Sequence, residues 1–145
     1  QEGRLRQMGS GQNRVDMTPV SNVVDAILLG LEASEHALNQ TYNISNGDPI
    51  ALWPLLNETL QKLDLPPVSK SIPLPVVLSV ARLMEWHARW LNRYREPTLT
   101  VYGVGTLAMN FSMDISKARR LLGYTPNQTV EEAMDEFVAW HKQQP

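Results

Sequence analysis

Gly103-Val104-Gly105-Thr106-Leu107-Ala108 matches the G-x-G-x-x-A pattern, in which glycines let the backbone approach a diphosphate in front of a helix N-terminus. That chemistry needs a strand before the glycines, a full helix after them and a second strand ending in an acidic residue. Thr98 to Tyr102 reads as strand-like, but Asn110-Phe111-Ser112 and Asp114 end any following helix early, and no second strand comes at the right distance. The motif is therefore expected to be a glycine-containing turn near a pocket and not a nucleotide cradle. Gly9-Ser10-Gly11 is weaker, with neither a third glycine nor a helix after it.

The other candidate groups are equally poor in chemistry. His36, His87 and His141 lie on separate segments without a second ligand type at i+3 or i+4, which argues against a metal site. His87 is expected to be a hydrogen-bonded structural histidine. Glu131, Glu132, Asp135 and Glu136 open a helix, where negative charge favours the macrodipole. Arg82, Arg89, Arg93 and Arg95 surround Trp86 and Trp90, as on a basic aromatic face that binds phosphate or nucleic acid. Since the two tryptophans are i, i+4 neighbours, core packing with arginine stems along the edge is the expected arrangement. There is no Gly-x-Ser-x-Gly elbow and no Tyr followed four residues later by Lys, so no catalytic residue is assigned.

The elements that would position these groups are mostly helical. Ser21 to Ala33 predicts a helix buried nearly all round, with Ser21 as its N-cap. Ahead of it, Met8 to Asn13 reads as a glycine turn between short extended pieces, the second being Val15 to Val20. Thr41 to Ile44 reads as a short strand ended by the turn Asn46-Gly47-Asp48-Pro49. Leu52, Leu55, Leu56, Leu60 and Leu63 define a helix face, with Pro54 tolerated in the first turn and Pro66-Pro67 closing the segment. After an extended Ser71 to Pro73, Pro75 opens a long stretch to about Tyr94, expected to be a buried helix with one wet edge. Arg82, Glu85, His87 and Arg89 argue against that stretch spanning a bilayer. Asp114 caps a short helix from Ile115 to Leu122, stopped by Gly123 and Pro126. Thr129 and Glu132 form a capping box for a last helix with Val130, Ala133, Met134, Phe137 and Val138 as its apolar stripe, its polar tail from Lys142 to Pro145 fraying.

The chain has 145 residues, 43% of them hydrophobic, which is enough to bury one core. With 13 basic and 15 acidic side chains the formal charge is -2, so no electrostatic excess favours nucleic acid. Absence of cysteine excludes disulfides, thiolate metal sites and cysteine nucleophiles, and leans toward a cytoplasmic setting. Five Asn-x-Ser/Thr triplets, at Asn39, Asn43, Asn57, Asn110 and Asn127, stand without a signal peptide and read as chance matches. The opening from Gln1 to Arg6 has neither a cap nor an apolar face and reads as part of something longer.

Several phrases, in order, resemble the C-terminal half of the extended short-chain dehydrogenases/reductases of the NAD-dependent epimerase/dehydratase superfamily, and especially the 3β-hydroxysteroid dehydrogenase-like branch. They are Gly9 to Ala26, Thr41 to Pro49, Glu96-Pro97-Thr98-Leu99-Thr100, Phe111 to Pro126 and Thr129 to Glu132. The resemblance implies an α/β fold class in which this chain, a single domain over 1–145, is the helix-dominated, substrate-binding part of a Rossmann-type reductase with a few short strands. Residues 1–20 would finish strands of a missing N-terminal Rossmann domain. NAD or NADP would bind that domain, with its glycine fingerprint and Tyr-x-x-x-Lys pair, so no cofactor is expected on this chain alone.

Nucleotide-sugar members of the family carry Arg immediately before the Asp equivalent to Asp16, where it contacts diphosphate. Here Val15 stands in its place, which removes bidentate phosphate recognition and favours a lipophilic alcohol or ketone, sterol-like or 3-oxoacyl. Pro19, where Tyr is usual, and Ser21, where an acid is common, depart from the family pattern. The resemblance nominates Val15, Met17, Met84 and Tyr102 as substrate-lining residues. The alternatives are a nucleotide-sugar epimerase or dehydratase using Arg82 or Arg14 for phosphate, and a non-catalytic helical interaction module. Separated from its Rossmann partner, the chain is expected to expose an apolar face and to self-associate.

Overall fold

Alternation is too brief anywhere in this sequence to build a sheet, and the backbone accordingly condenses into helices tied by two-residue strand pairs. The computed structural model describes residues 5–91 and 97–144. Strand β1 (Gln7–Met8) is followed by a turn in which Gly9 and Gly11 take positive φ, and then by β2 (Arg14–Val15). Helix α1 spans Val20–Leu31, a 3-10 turn covers Glu35–Ala37, and β3 (Ile50–Ala51) leads directly into α2 (Leu52–Lys62). Strand β4 (Ser71–Ile72) precedes α3 (Leu74–Trp90), and α4 (Val101–Ala108), α5 (Ser116–Leu122) and α6 (Val130–Lys142) complete the chain.

Strand β1 pairs in parallel with β4, Gln7 opposite Ser71, while β2 pairs antiparallel with β3, Arg14 opposite Ala51. On its other side β2 meets Phe111 in an isolated parallel bridge, so Val15 is held from both flanks. The helix-dominated α/β architecture expected from sequence is what forms.

Three small apolar clusters replace one large core. Ala26, Ile115, Ala118 and Tyr124 join α1 to α5. Val15, Leu52 and Trp53 join β2 to α2, with Leu107 of α4 against them. Val77, Ala81 and Val104 join α3 to α4.

Several expectations are corrected. Helix α1 begins at Val20 with Pro19 at its N-cap, and the Ser21 hydroxyl bonds to the Gln128 side chain instead of capping. Nor is α1 buried all round, because only its Asn22 and Ala26 side is covered and Val20, Val24, Ile27, Leu28 and Leu31 face outward. Thr41 to Ile44 is not a strand. Among the described residues its backbone makes no backbone–backbone hydrogen bond, so β propensity there has no partner to act on. Thr98 to Tyr102 is not a strand either, since Thr100 caps α4 and Tyr102 lies in its first turn. Helix α3 buries only Val77 and Ala81, with Val76, Val80, Leu83, Trp86 and Trp90 exposed. Phe137 of the α6 stripe is also exposed.

The caps near the C-terminus follow the sequence closely. Asp114 accepts from the Ser116 backbone N–H, although the N-cap position falls at Ile115, and Gly123 closes α5 with φ 67°. Thr129 and Glu132 form the reciprocal box at α6.

Asn22, wholly buried, ties these pieces together. Its Nδ2 donates to Asn46 Oδ1 and to the Gln128 carbonyl, both at 2.8 Å, and its Oδ1 accepts from the backbone N–H groups of Asn127 at 2.9 Å and Gln128 at 3.0 Å. Asn22→Ala should leave those N–H groups unpaired and lower stability by about 3 kcal/mol. Urea unfolding of the two proteins measures the difference, and a loss under about 1 kcal/mol would show that water replaces the amide without penalty.

Candidate functional site

The segment after β2 brings most polar contacts together. Val15 turns inward onto Leu52 and Trp53, and the following Asp16 donates its N–H to the Phe111 carbonyl at 2.8 Å. Its Oδ2 accepts from the Ser45 hydroxyl at 3.2 Å and from the Met113 N–H at 2.8 Å. The other carboxylate oxygen, Oδ1, is buried and unpartnered among the described residues. Ser45 is in turn reached by the phenol of Tyr124, which donates to its carbonyl at 3.1 Å. Burial first, and then the nearby Asp25 carboxylate, push the Tyr124 phenol above its ordinary value, so this hydroxyl stays protonated and acts as a structural donor.

The four nominated lining residues fall into two pairs joined by α4. Val15 is buried in the β2 cluster with Met17 half-buried against it, and Trp53 Nε1 donates to the Leu107 carbonyl at 3.0 Å, fixing the C-terminal end of α4 there. At the other end the Glu85 carboxylate accepts from the Val101 N–H at 2.8 Å. That bond sets Met84 and Tyr102 next to one junction between α3 and α4, with Met84 half-buried and Tyr102 82% exposed. Two turns of helix therefore separate the pairs, roughly 12 Å at 1.5 Å per residue. A separate open pocket of about 300 Å³ lies along α1, lined by Ala26, Ile27, Gly30, Leu38, Tyr42 and Leu122 among others, and none of the four borders it.

The G-x-G-x-x-A motif sits inside α4, which corrects the expected turn. Gly103 and Gly105 both lie past the helix start with ordinary negative φ. The helix N-terminus is already served by Thr100 Oγ1, accepting from the Gly103 N–H, and by the Glu85 carboxylate. A diphosphate placed there would meet a like charge, so these residues do not fit a nucleotide. In the sequence Glu85 counts only as one of the charges that argue against a membrane span, with nothing to mark its place at the N-terminus of α4.

The remaining groups disperse. His36, His87 and His141 occupy the 3-10 turn, α3 and α6, and no cluster of three metal-type ligands exists among the described residues. His87 is exposed instead of buried, because α3 turns that side away from α4. Glu132 is spent on capping, and Asp135 pairs with Lys62, which also contacts Glu58 at 2.9 Å. Trp86 and Trp90 stack in parallel at 6.0 Å but are exposed, not packed in the core. Arg93 and Arg95 lie outside the described residues. Arg14 directs its guanidinium at the Pro49 carbonyl.

Comparison with known proteins adds the family. No family model matches the chain. It is 34% identical to the uncharacterized protein YbjS of Escherichia coli over 90% of the chain and 39% of that protein. It is 32% identical to a 2-alkyl-3-oxoalkanoate reductase of Stenotrophomonas maltophilia over 92% of the chain and 41% of the relative. It is 33% identical to 3beta-hydroxysteroid-dehydrogenase/decarboxylase isoform 1 of Arabidopsis thaliana over 88% of the chain and 31% of the relative. The chain is a counterpart of the C-terminal region of the extended short-chain dehydrogenases/reductases.

Solved structures share this fold. The crystal structure of gox2253 superposes with TM-score 0.62 at 26% identity, over 90% of the chain and 38% of that protein. UDP-glucuronic acid 4-epimerase from Bacillus cereus, in complex with NAD, superposes with TM-score 0.60 at 16% identity, over 96% of the chain and 34% of the enzyme. The chain thus spans about two-fifths of the relatives it matches first.

The capping carboxylate of α6 makes a pH-dependent contribution to stability. The Thr129 backbone N–H, followed by its hydroxyl, holds Glu132 below its ordinary value of 4.5. A lowered folded value means that this contribution is complete above pH 4.5 and is lost as pH falls through the folded value. Glu132→Gln should therefore differ from the unaltered chain by a constant amount above that pH, with the difference narrowing below it. Thermal melts across the acid range read this out, and a difference that widens on acidification would reverse the assignment.

Proposed function

We propose that the chain is the substrate-side region of an NAD(P)-dependent oxidoreductase that acts on a hydroxyl or keto group of a lipophilic substrate, sterol-like or 3-oxoacyl, with the nucleotide held by a Rossmann domain outside this chain. The observation that carries the reading is the match along about nine-tenths of the chain to a 2-alkyl-3-oxoalkanoate reductase and a 3beta-hydroxysteroid-dehydrogenase/decarboxylase. Apolar Val15 ahead of Asp16 supports it, as does Arg14 being turned to the Pro49 carbonyl, since neither leaves a guanidinium facing a diphosphate there.

The need for a second domain is supported locally. Thr41 to Ile44, which makes no backbone–backbone hydrogen bond among the described residues, lies beside the outward apolar side of α1, a surface suited to a partner layer. The isolated chain is expected to self-associate through this surface. Val15 and Met17 would form one end of the substrate pocket, and Met84 and Tyr102 the other, with α4 as its wall.

Calorimetric titration of NADH and NADPH into this chain and into the protein extended upstream tests the division of labour. Binding is expected only in the longer protein; binding by the shorter chain would contradict it. In the longer protein, Tyr102→Ala should raise KM for long-chain 3-oxoacyl or sterol ketones about ten-fold with kcat little changed. Turnover of UDP-sugars in preference to those ketones would overturn the substrate class.

A further inference from the structure

The turn at Asn46-Gly47 carries a reactive dipeptide. Of the nine asparagines in the chain, Asn46 alone is followed by glycine, the neighbour that least hinders attack of its backbone nitrogen on an asparagine side-chain carbonyl. The fold requires both residues. Gly47 has φ 65°, and a Cβ there would lie 2.6 Å from Ile115 Cδ1. The Asn46 amide has two duties, Oδ1 accepting from Asn22 Nδ2 at 2.8 Å and Nδ2 donating to the Gln128 carbonyl at 2.9 Å.

The same bonds restrain both reacting groups. Closing a ring between them expels the Asn46 amide nitrogen, the atom bonded to Gln128, and turns the carbonyl that Asn22 holds. It also requires the Gly47 N–H to give up its proton, and that N–H donates to Ser45 Oγ at 3.1 Å. Ser45 is wholly buried and fixed in its turn, its hydroxyl donating to Asp16 and its carbonyl accepting from the Tyr124 phenol.

We propose that Asn46-Gly47 is a self-modification site gated by the Asn22 junction, inert while the junction is closed and converted irreversibly when it opens. The Gly47 nitrogen bonds to Asn46 Cγ, the Cγ–Nδ2 bond breaks, and ammonia leaves carrying the Gly47 amide proton. Water then opens one C–N bond of the cyclic imide and leaves aspartate or isoaspartate at position 46. Neither product rebuilds the junction. A carboxylate puts an oxygen where Nδ2 donated to the Gln128 carbonyl, so two acceptors face each other. Isoaspartate adds a methylene to the main chain next to Gly47, where Ile115 leaves no room. The site therefore records each opening that runs to completion, a local event well short of global unfolding. The inference goes beyond the proposed enzymology, since it requires neither nucleotide nor substrate.

Peptide mapping by mass spectrometry after incubation at mildly alkaline pH tests it. The chain unfolded in urea should gain one mass unit at position 46 ahead of every other asparagine, and the folded chain should do so roughly a hundred-fold more slowly. Asn22→Ala should speed the folded reaction about ten-fold, whereas Val104→Ala, which loosens the cluster between α3 and α4, should leave it unaltered. Ser45→Ala keeps Asn22 in place and frees the Gly47 N–H, so it should act in the same direction as Asn22→Ala and reads the gate independently of that variant's stability. Asn46→Asp reproduces one product and should melt below the unaltered chain. Equal rates in the folded and unfolded chain, no conversion at position 46 in urea, or equal acceleration by Val104→Ala and Asn22→Ala would each overturn the proposal. An Asn46→Asp variant that melts with the unaltered chain would overturn the irreversible step.

Discussion

One buried amide holds the two halves of this chain to each other. Asn22 is the third residue of α1, and its side chain satisfies groups from the turn at Asn46 and from the loop that launches α6. Both its donors and its acceptor are used, so burial is compensated group by group. The Asn46 amide then donates to the same Gln128 carbonyl at 2.9 Å, and the Asp16–Ser45–Tyr124 chain runs alongside. With apolar contacts divided among three small clusters, such polar fastening decides how the clusters sit relative to one another.

What could be read in the sequence was what local chemistry determines. The helix from Leu52, the stop at Gly123 and the Thr129–Glu132 box depend on residues within a few positions of each other, and all three form. The readings that failed depend on partners distant in sequence. Thr41 to Ile44 and Thr98 to Tyr102 have β-forming residues, but strand formation needs an adjacent strand, and Glu85 and Thr100 commit the second segment to helix. The hydrophobicity of α1 and α3 was plain, yet composition alone cannot distinguish a covered face from one presented outward.

The candidate site divides along the same line. Val15 and Met17 belong to a phrase with strong family resemblance, whereas the placement of Met84 and Tyr102 beside one junction depends on Glu85, which has no signature of its own. The glycines of α4 show the converse. A pattern associated with phosphate is here compatible with helix, and its significance rests on whether the N–H groups ahead of it are free. Those of Val101 and Gly103 are taken by Glu85 and Thr100.

The short pairings of β1 and β2 also govern how the chain acquires its shape. Gln7 must find Ser71, Arg14 must find Ala51, and Val15 must find Phe111, so each strand closes a loop made of whole helices. Loop closure costs entropy before two-residue ladders return much, which makes these contacts late events. Helices α2, α5 and α6, specified by neighbours, can form early, while the amino-terminal segment enters afterwards as a lace between them. The order of assembly on this argument runs against the order of the sequence, with β1 and β2 among the last elements to find their places.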